Sequence, residues 1–156
     1  MPNQILIIGT DPPCPRCALL GEMVDWLLRD STQQVSVHHV AYDSGEARAV
    51  AESLGLTPGT AKHVAPKAGL QVDWDHVYGL INSPPTGSLP VPTDNAMAAK
   101  WSPMLDEALR PCQDAARAAG ILMTPVLVVD GRLCHEGSVP SLERVREWLG
   151  FSGGRS

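Results

Sequence analysis

Cys14-Pro15-Arg16-Cys17 is the stretch of this chain whose residue types and spacing could perform chemistry as they stand. Two thiols three positions apart can close a small disulfide ring, supply half of a metal site, or serve as plain core residues. What they do depends on the elements that carry them. Ile5-Leu6-Ile7-Ile8 is a short run rich in β-branched residues and closed by Gly9, the pattern of a strand buried on both faces. Asp11-Pro12-Pro13 lacks the donors that a ladder needs and predicts a turn. Cys17, Leu20, Val24, Leu27 and Leu28 then recur at three- and four-residue spacing, which predicts a helix. Cys14 therefore falls just outside the first helical turn and Cys17 inside it. Free amides and the positive end of the helix stabilise an anion there, so the Cys14 thiol should ionise more readily than a free cysteine. A structural zinc site would need a second Cys-x-x-Cys or a comparable histidine pair, and the sequence has none, which favours redox chemistry.

The rest of the composition narrows the field. A chain of 156 residues, 44% of them hydrophobic, suits one domain with a real core. A net charge of -5, from 12 basic and 17 acidic residues, argues against nucleic-acid or anionic-membrane partners. Four cysteines are too few for a disulfide-stapled scaffold. Met1-Pro2-Asn3-Gln4 has no basic region, the apolar run after it is too short for a signal peptide, and no stretch is long enough to span a bilayer. The expected location is the cytoplasm, where a Cys-x-x-Cys is catalytic more often than structural.

Val35 to Tyr42 alternates as a second strand, placing His38 and His39 on opposite faces, where they cannot share a metal. Ser44 predicts the cap of a helix carrying Ala47, Val50, Ala51 and Leu54 and ending at Gly55. Thr57-Pro58 reads as a cap followed by a first-turn proline, opening a helix with Ala61, Val64, Ala65 and Ala68 on one face and Pro66 near its end. Asp73 predicts the cap of another helix through Trp74, Val77, Tyr78 and Ile81. Ala51 to Pro58 has a faint helix-turn-helix pattern, but too few basic residues lie there to meet phosphates. Asn82 to Asn95, rich in proline, glycine and serine, predicts an extended, mobile loop without chemistry. Ser102-Pro103 opens a helix whose stripe, Leu105 to Ala119, continues across Pro111 with a kink and carries Cys112 as a small buried hydrophobe. Val126 to Val129 is a buried strand, Asp130-Gly131 a hairpin turn, Leu133 to Glu136 the returning strand, and Ser141 the cap of a last helix with Leu142, Val145, Trp148 and Leu149 inward. The Gly-Ser-rich residues 151–156 read as a flexible tail.

The order strand, Cys-x-x-Cys at a helix start, strand, then helix, Thr-Pro, hairpin and helix resembles the thioredoxin-like superfamily of disulfide oxidoreductases. Cys14-Pro15-Arg16-Cys17 and Met123-Thr124-Pro125-Val126 carry the likeness, with Val128 to Arg132 and Gly137 to Ser141 in support. It implies an α/β fold: a central mixed sheet of about four strands flanked by helices. Residues 1–150 would form a single domain, with 44–101 as a helical and loop insertion between an N-terminal βαβ half and a C-terminal ββα half. That placement is similar to the insertion of the periplasmic disulfide-oxidase family, which also uses a Cys-Pro-x-Cys pair. The likeness further implies that Pro125 is the cis-proline beside the disulfide and that Thr124 offers its backbone to an extended substrate. Departures are visible as well. Pro13 precedes Cys14 where thioredoxins have Trp, Pro15-Arg16 stands where they have Gly-Pro, and an apolar residue near Ile8 replaces their buried aspartate, Asp11 being the nearest acid.

The chemistry expected is thiol–disulfide exchange without a cofactor or metal, Cys14 as nucleophile and Cys17 as resolving thiol. Arg16, and with it Pro15, would modulate the pair: a positive charge near the sulfurs lowers the Cys14 pKa and makes the disulfide more oxidising than that of thioredoxin proper. The partners implied are a disulfide-containing protein or small molecule, and a reductase or glutathione as electron donor. Two other readings stay open. One is a metal or iron–sulfur module using Cys14, Cys17 and Cys134-His135; the other is a non-catalytic partner-binding domain of the same fold.

Overall fold

A computed structural model describes residues 2–32 and 34–151 of the chain; the expected flexible tail, Phe151 apart, lies outside the described residues. Strand β1 (Gln4–Gly9) runs through the middle of a four-stranded sheet of order β2-β1-β5-β6. It pairs in parallel with β2 (Ser36–Ala41) and antiparallel with β5 (Val126–Val129), which continues antiparallel into β6 (Arg132–Glu136). The sheet is mixed and flanked by helices, the thioredoxin-like arrangement.

Alternation along β1 splits the core in two, as period-two geometry requires. Ile5 and Ile7, with Leu127 and Val129, face α1 (Pro15–Leu28) and α6 (Leu142–Trp148) and meet Leu19, Leu20, Met23, Val24 and Val145. Ile8, Val126 and Val128 face the other way, onto Ala47 and Ala51 of α2 (Gly45–Ser53) and onto Leu122 of β4 (Ile121–Met123). A third cluster packs α3 (Ala61–Lys67), α4 (Trp74–Asn82) and α5 (Pro103–Ala116) around Val64, Leu105, Leu109 and the fully buried Cys112. The caps expected at Ser44, Asp73 and Ser141 form, each side chain accepting from the amide three residues on. Asp130 (φ 49°) and Gly131 (φ 80°) make the hairpin turn, both with the positive φ that a twisted two-residue loop demands. Helix α5 runs unbroken through the exposed Pro111.

One expectation is corrected. Thr57-Pro58 does not start a helix: Thr57–Gly59 is strand β3, parallel to β4 in a second, two-stranded sheet, and α3 begins after Thr60. Thr57 donates its amide to the Gly120 carbonyl and Gly59 accepts from the Thr124 amide (both 2.9 Å), so Pro58 sits at the alternate position, where no ladder donor is required. This strand interrupts the faint helix-turn-helix pattern of Ala51 to Pro58 and lies within segment 44–101, where helices and loops are expected. The segment 83–97 has no regular structure, as expected, yet it is tied to α1: Val91 is buried in the main cluster and the Thr93 hydroxyl donates to the Glu22 carboxylate. Among the described residues no helix is long and apolar enough to cross a membrane.

Leu122 joins the two sheets through one fully buried side chain. Leu122→Ala should lower the unfolding free energy by about 3 kcal/mol in urea titration, as a core cavity does; a loss well under 1 kcal/mol would mean that β3–β4 is not packed against the main sheet.

Candidate functional site

The N-terminal end of α1 is an anion site with a thiol already in it. Cys14 is the N-cap, in extended conformation, and Pro15 takes the first helical position, where its missing N–H costs nothing. No acidic side chain lies in the first turn to occupy the positive end. The Thr10 hydroxyl accepts the Cys14 amide at 2.8 Å, fixing the corner between β1 and the helix. Cys14 is partly exposed and Cys17 is buried, and their sulfurs lie 3.2 Å apart. Gly9 makes room for the second sulfur: a Cβ there would stand 2.7 Å from Cys17 Sγ.

These contacts split the acidity of the pair. The Cys14 pKa falls from 9.0 to about 6, first because Cys17 donates a hydrogen bond to it, against the opposing effect of burial, and then through the backbone amides of Cys17 and Arg16 and the charge of Arg16. The Cys17 thiol moves well above the ordinary value, because it gives that hydrogen bond, is desolvated, and faces the Cys14 charge. Cys14 is thus the readier of the two thiols to ionise, and Cys17 is held protonated.

Arg16 does not reach solvent; it is 5% exposed. Its Nε donates to Asp106 Oδ1 at 2.7 Å and its Nη2 donates to the Gly137 carbonyl. Asp106 Oδ2 accepts in turn from Trp101 Nε1 (2.9 Å) and from the Val139 amide (3.2 Å). Gly137 donates its own amide to the Pro125 carbonyl at 2.9 Å. A chain of hydrogen bonds therefore runs from the Cys14-x-x-Cys17 corner to the Thr124–Pro125 turn, whose peptide bond is cis. Gly137 has φ of 88° and sits where a Cβ would lie 2.7 Å from the Gln113 side chain, so no other residue fits without strain. Gln113 itself donates to the Glu136 carbonyl and to Ser138 Oγ. Thr124 is buried and its amide is already given to Gly59, which leaves its carbonyl as the backbone group it can present.

Cys134 and His135 are not brought to the pair. The Cys134 sulfur contacts the Arg132 carbonyl, while His135 bonds Ser138 and lies against Trp148. Among the described residues no group of three or more His, Cys, Asp or Glu is placed to hold a metal. Ile8 is fully buried where the thioredoxin aspartate would stand, and Asp11 is exposed on the loop. A cleft of about 350 Å³ opens beside Cys17 between β1, β2 and α1, with Asp11, Glu22, Asp25 and His39 among its lining residues. Burial raises the Asp25 pKa there. Asp106, Trp101 and Thr10 escaped the sequence reading, and Gly137 entered it without its role at the site. Only Gly137 carried a signal, as a glycine ending a strand; an acid in the first turn of a helix looks like any other.

With this geometry in view, residues 106–150 match the family model for the thioredoxin domain. The C-terminal part of the chain is therefore similar to a thioredoxin domain. The match runs from α5 through α6 and takes in Thr124–Pro125, while Cys14–Cys17 lies outside it. No curated protein sequence matches the chain. The crystal structure of the oxidoreductase DsbA from Xylella fastidiosa is similar over 94% of this chain and 83% of that one, at 18% identity and a TM-score of 0.34, a likeness too distant to carry an argument.

Two outcomes follow from the Cys14–Cys17 geometry. Alkylation of Cys14 should show a midpoint near pH 6, and the reduced protein should gain stability as pH rises from about 6 toward 9. The sign is that of an acid whose folded pKa is depressed: its contribution is complete above the unfolded value and disappears as pH falls through the folded one. Cys14→Ser should remove that gain; an unchanged pH profile would place the ionisation elsewhere. Gly9→Ala should displace Cys17 and slow closure of the Cys14–Cys17 disulfide severalfold relative to the native protein, whereas an unchanged closure rate would show that the corner has slack.

Proposed function

We propose that this chain is a thiol–disulfide oxidoreductase working through Cys14 and Cys17. The observation that carries this reading is the divided pair: a partly exposed, acidic Cys14 and a buried, protonated Cys17 with sulfurs 3.2 Å apart. Cys14 thiolate attacks one sulfur of a substrate disulfide; that S–S bond breaks and the released sulfur leaves as a thiolate that takes up a proton. Cys17 then gives its proton to solvent and attacks Cys14 Sγ. The mixed disulfide breaks, the second substrate sulfur leaves, and two electrons have passed from the protein to the substrate. A dithiol reductase or glutathione returns the pair to its reduced form, and the reverse sequence oxidises a dithiol. Thr124–Pro125, tied to the redox corner through Gly137 and Arg16, is where an extended substrate strand would dock, on the Thr124 carbonyl. The substrate is a disulfide-bearing protein or small molecule, and the cytoplasm, with its reduced thiols, supplies the electrons.

The experiment is trapping. Cys17→Ser should hold disulfide substrates covalently on Cys14, the native protein should reduce a model protein disulfide in the presence of dithiothreitol, and Cys14→Ser should lose at least a hundredfold of that activity. If Cys14→Ser reduces the substrate as fast as the native protein, the reading fails.

A further inference from the structure

The Arg16 side chain is the one basic group of the redox tetrapeptide, and the fold holds it inside rather than releasing it to water. What holds it comes from α5, 90 residues away along the chain. The carboxylate of Asp106 does two separate jobs with its two oxygens. Oδ1 takes the Arg16 guanidinium; Oδ2 takes Trp101 and the Val139 amide, the far side of the loop whose Gly137 carbonyl also receives Arg16. Through the Gly137 amide and the Pro125 carbonyl that loop is bonded to the cis Thr124–Pro125 turn.

We propose that Asp106 is the positioning residue of the redox pair: it locks Arg16 between the CPRC corner and the 137–139 loop, and its negative charge offsets part of the positive charge that Cys14 feels. The inference rests on the oxidoreductase reading of Cys14 and Cys17. It differs from a purely structural role because it fixes a sign. Arg16 is one of the groups that make Cys14 acidic, so a counter-charge 2.7 Å from Arg16 must make Cys14 less acidic than Arg16 alone would. The other titratable groups near this cluster do not blur that sign. The pKa values of Cys17 and Cys112 are both raised, the first chiefly by its hydrogen bond to Cys14 and the second by burial, and burial lowers that of His135, so all three are biased toward their neutral forms. Glu136 near His135 is taken by Arg117 at 2.6 Å.

The test compares the pH midpoint of Cys14 alkylation in four proteins: native, Asp106→Asn, Arg16→Met and the double variant. Asp106→Asn keeps the shape and an acceptor while removing the charge, so its midpoint should fall below the native one. Arg16→Met should raise it, and the double variant should lie between the two single ones. A carboxylate that only braces the fold would lower thermal stability in Asp106→Asn and leave the midpoint in place, so an unchanged or raised midpoint overturns the proposal. If Asp106→Asn does not fold, the double variant, free of the unpaired buried arginine, decides: a midpoint as high as that of Arg16→Met alone contradicts an offset by Asp106. A native midpoint near that of free cysteine would instead defeat the oxidoreductase reading itself, and the two failures are told apart by the native protein alone.

Discussion

A guanidinium shut away from water has to be answered by a negative group, and in this fold that requirement joins parts of the chain that local sequence leaves apart. Arg16 sits in the first turn of α1, Asp106 in the first turn of α5, and Gly137 at the end of β6. Breaking a buried pair by removing one member costs about 3–5 kcal/mol, whereas forming it contributes little net stability. Its value is therefore geometric. With the pair in place, the helix end that carries Cys14, the loop after β6 and the Pro125 turn form one bonded unit, and the two sulfurs are held within contact of each other.

The electrostatics of the site follow from that arrangement. A helix N-terminus with no acid in its first turn favours an anion, and Cys14 is the group placed to become one. Burial opposes ionisation, and the hydrogen bond from Cys17 outweighs it. Where the familiar thioredoxin pattern keeps a buried aspartate on the strand before the motif, this chain keeps Ile8. The buried charge it places beside the motif is Arg16, paired with Asp106.

Much of the fold was legible in the chain's patterning, for physical reasons that differ by element. Ile5 to Ile8 and Val126 to Val129 are buried on both faces and so appear as unbroken apolar runs; Asp130-Gly131 needs two positive φ values and appears as such; Ser44, Asp73 and Ser141 cap by chemistry that is local. Thr57–Gly59 was misread because a strand of three residues containing a proline has no periodicity, and only its long-range partner, Ile121–Met123, makes it a strand. The same logic explains the site. Cys14 and Cys17 announce themselves by spacing, but Asp106 is defined by a contact with Arg16 across 90 residues, and no pattern within either helix encodes it.

The claim at the centre of this account is that Cys14 is held as a stabilised thiolate beside Cys17. A thiolate so stabilised makes the reduced form more stable and the disulfide a stronger oxidant. The most direct measurement is equilibration of the protein with a glutathione redox buffer, reading the fraction of Cys14–Cys17 disulfide by mass spectrometry with Cys112 and Cys134 as internal free thiols. The account predicts a single disulfide between Cys14 and Cys17 with a potential clearly above the value of about -270 mV typical of thioredoxin. A potential at or below that value, or a disulfide that engages Cys112 or Cys134 instead, would contradict it.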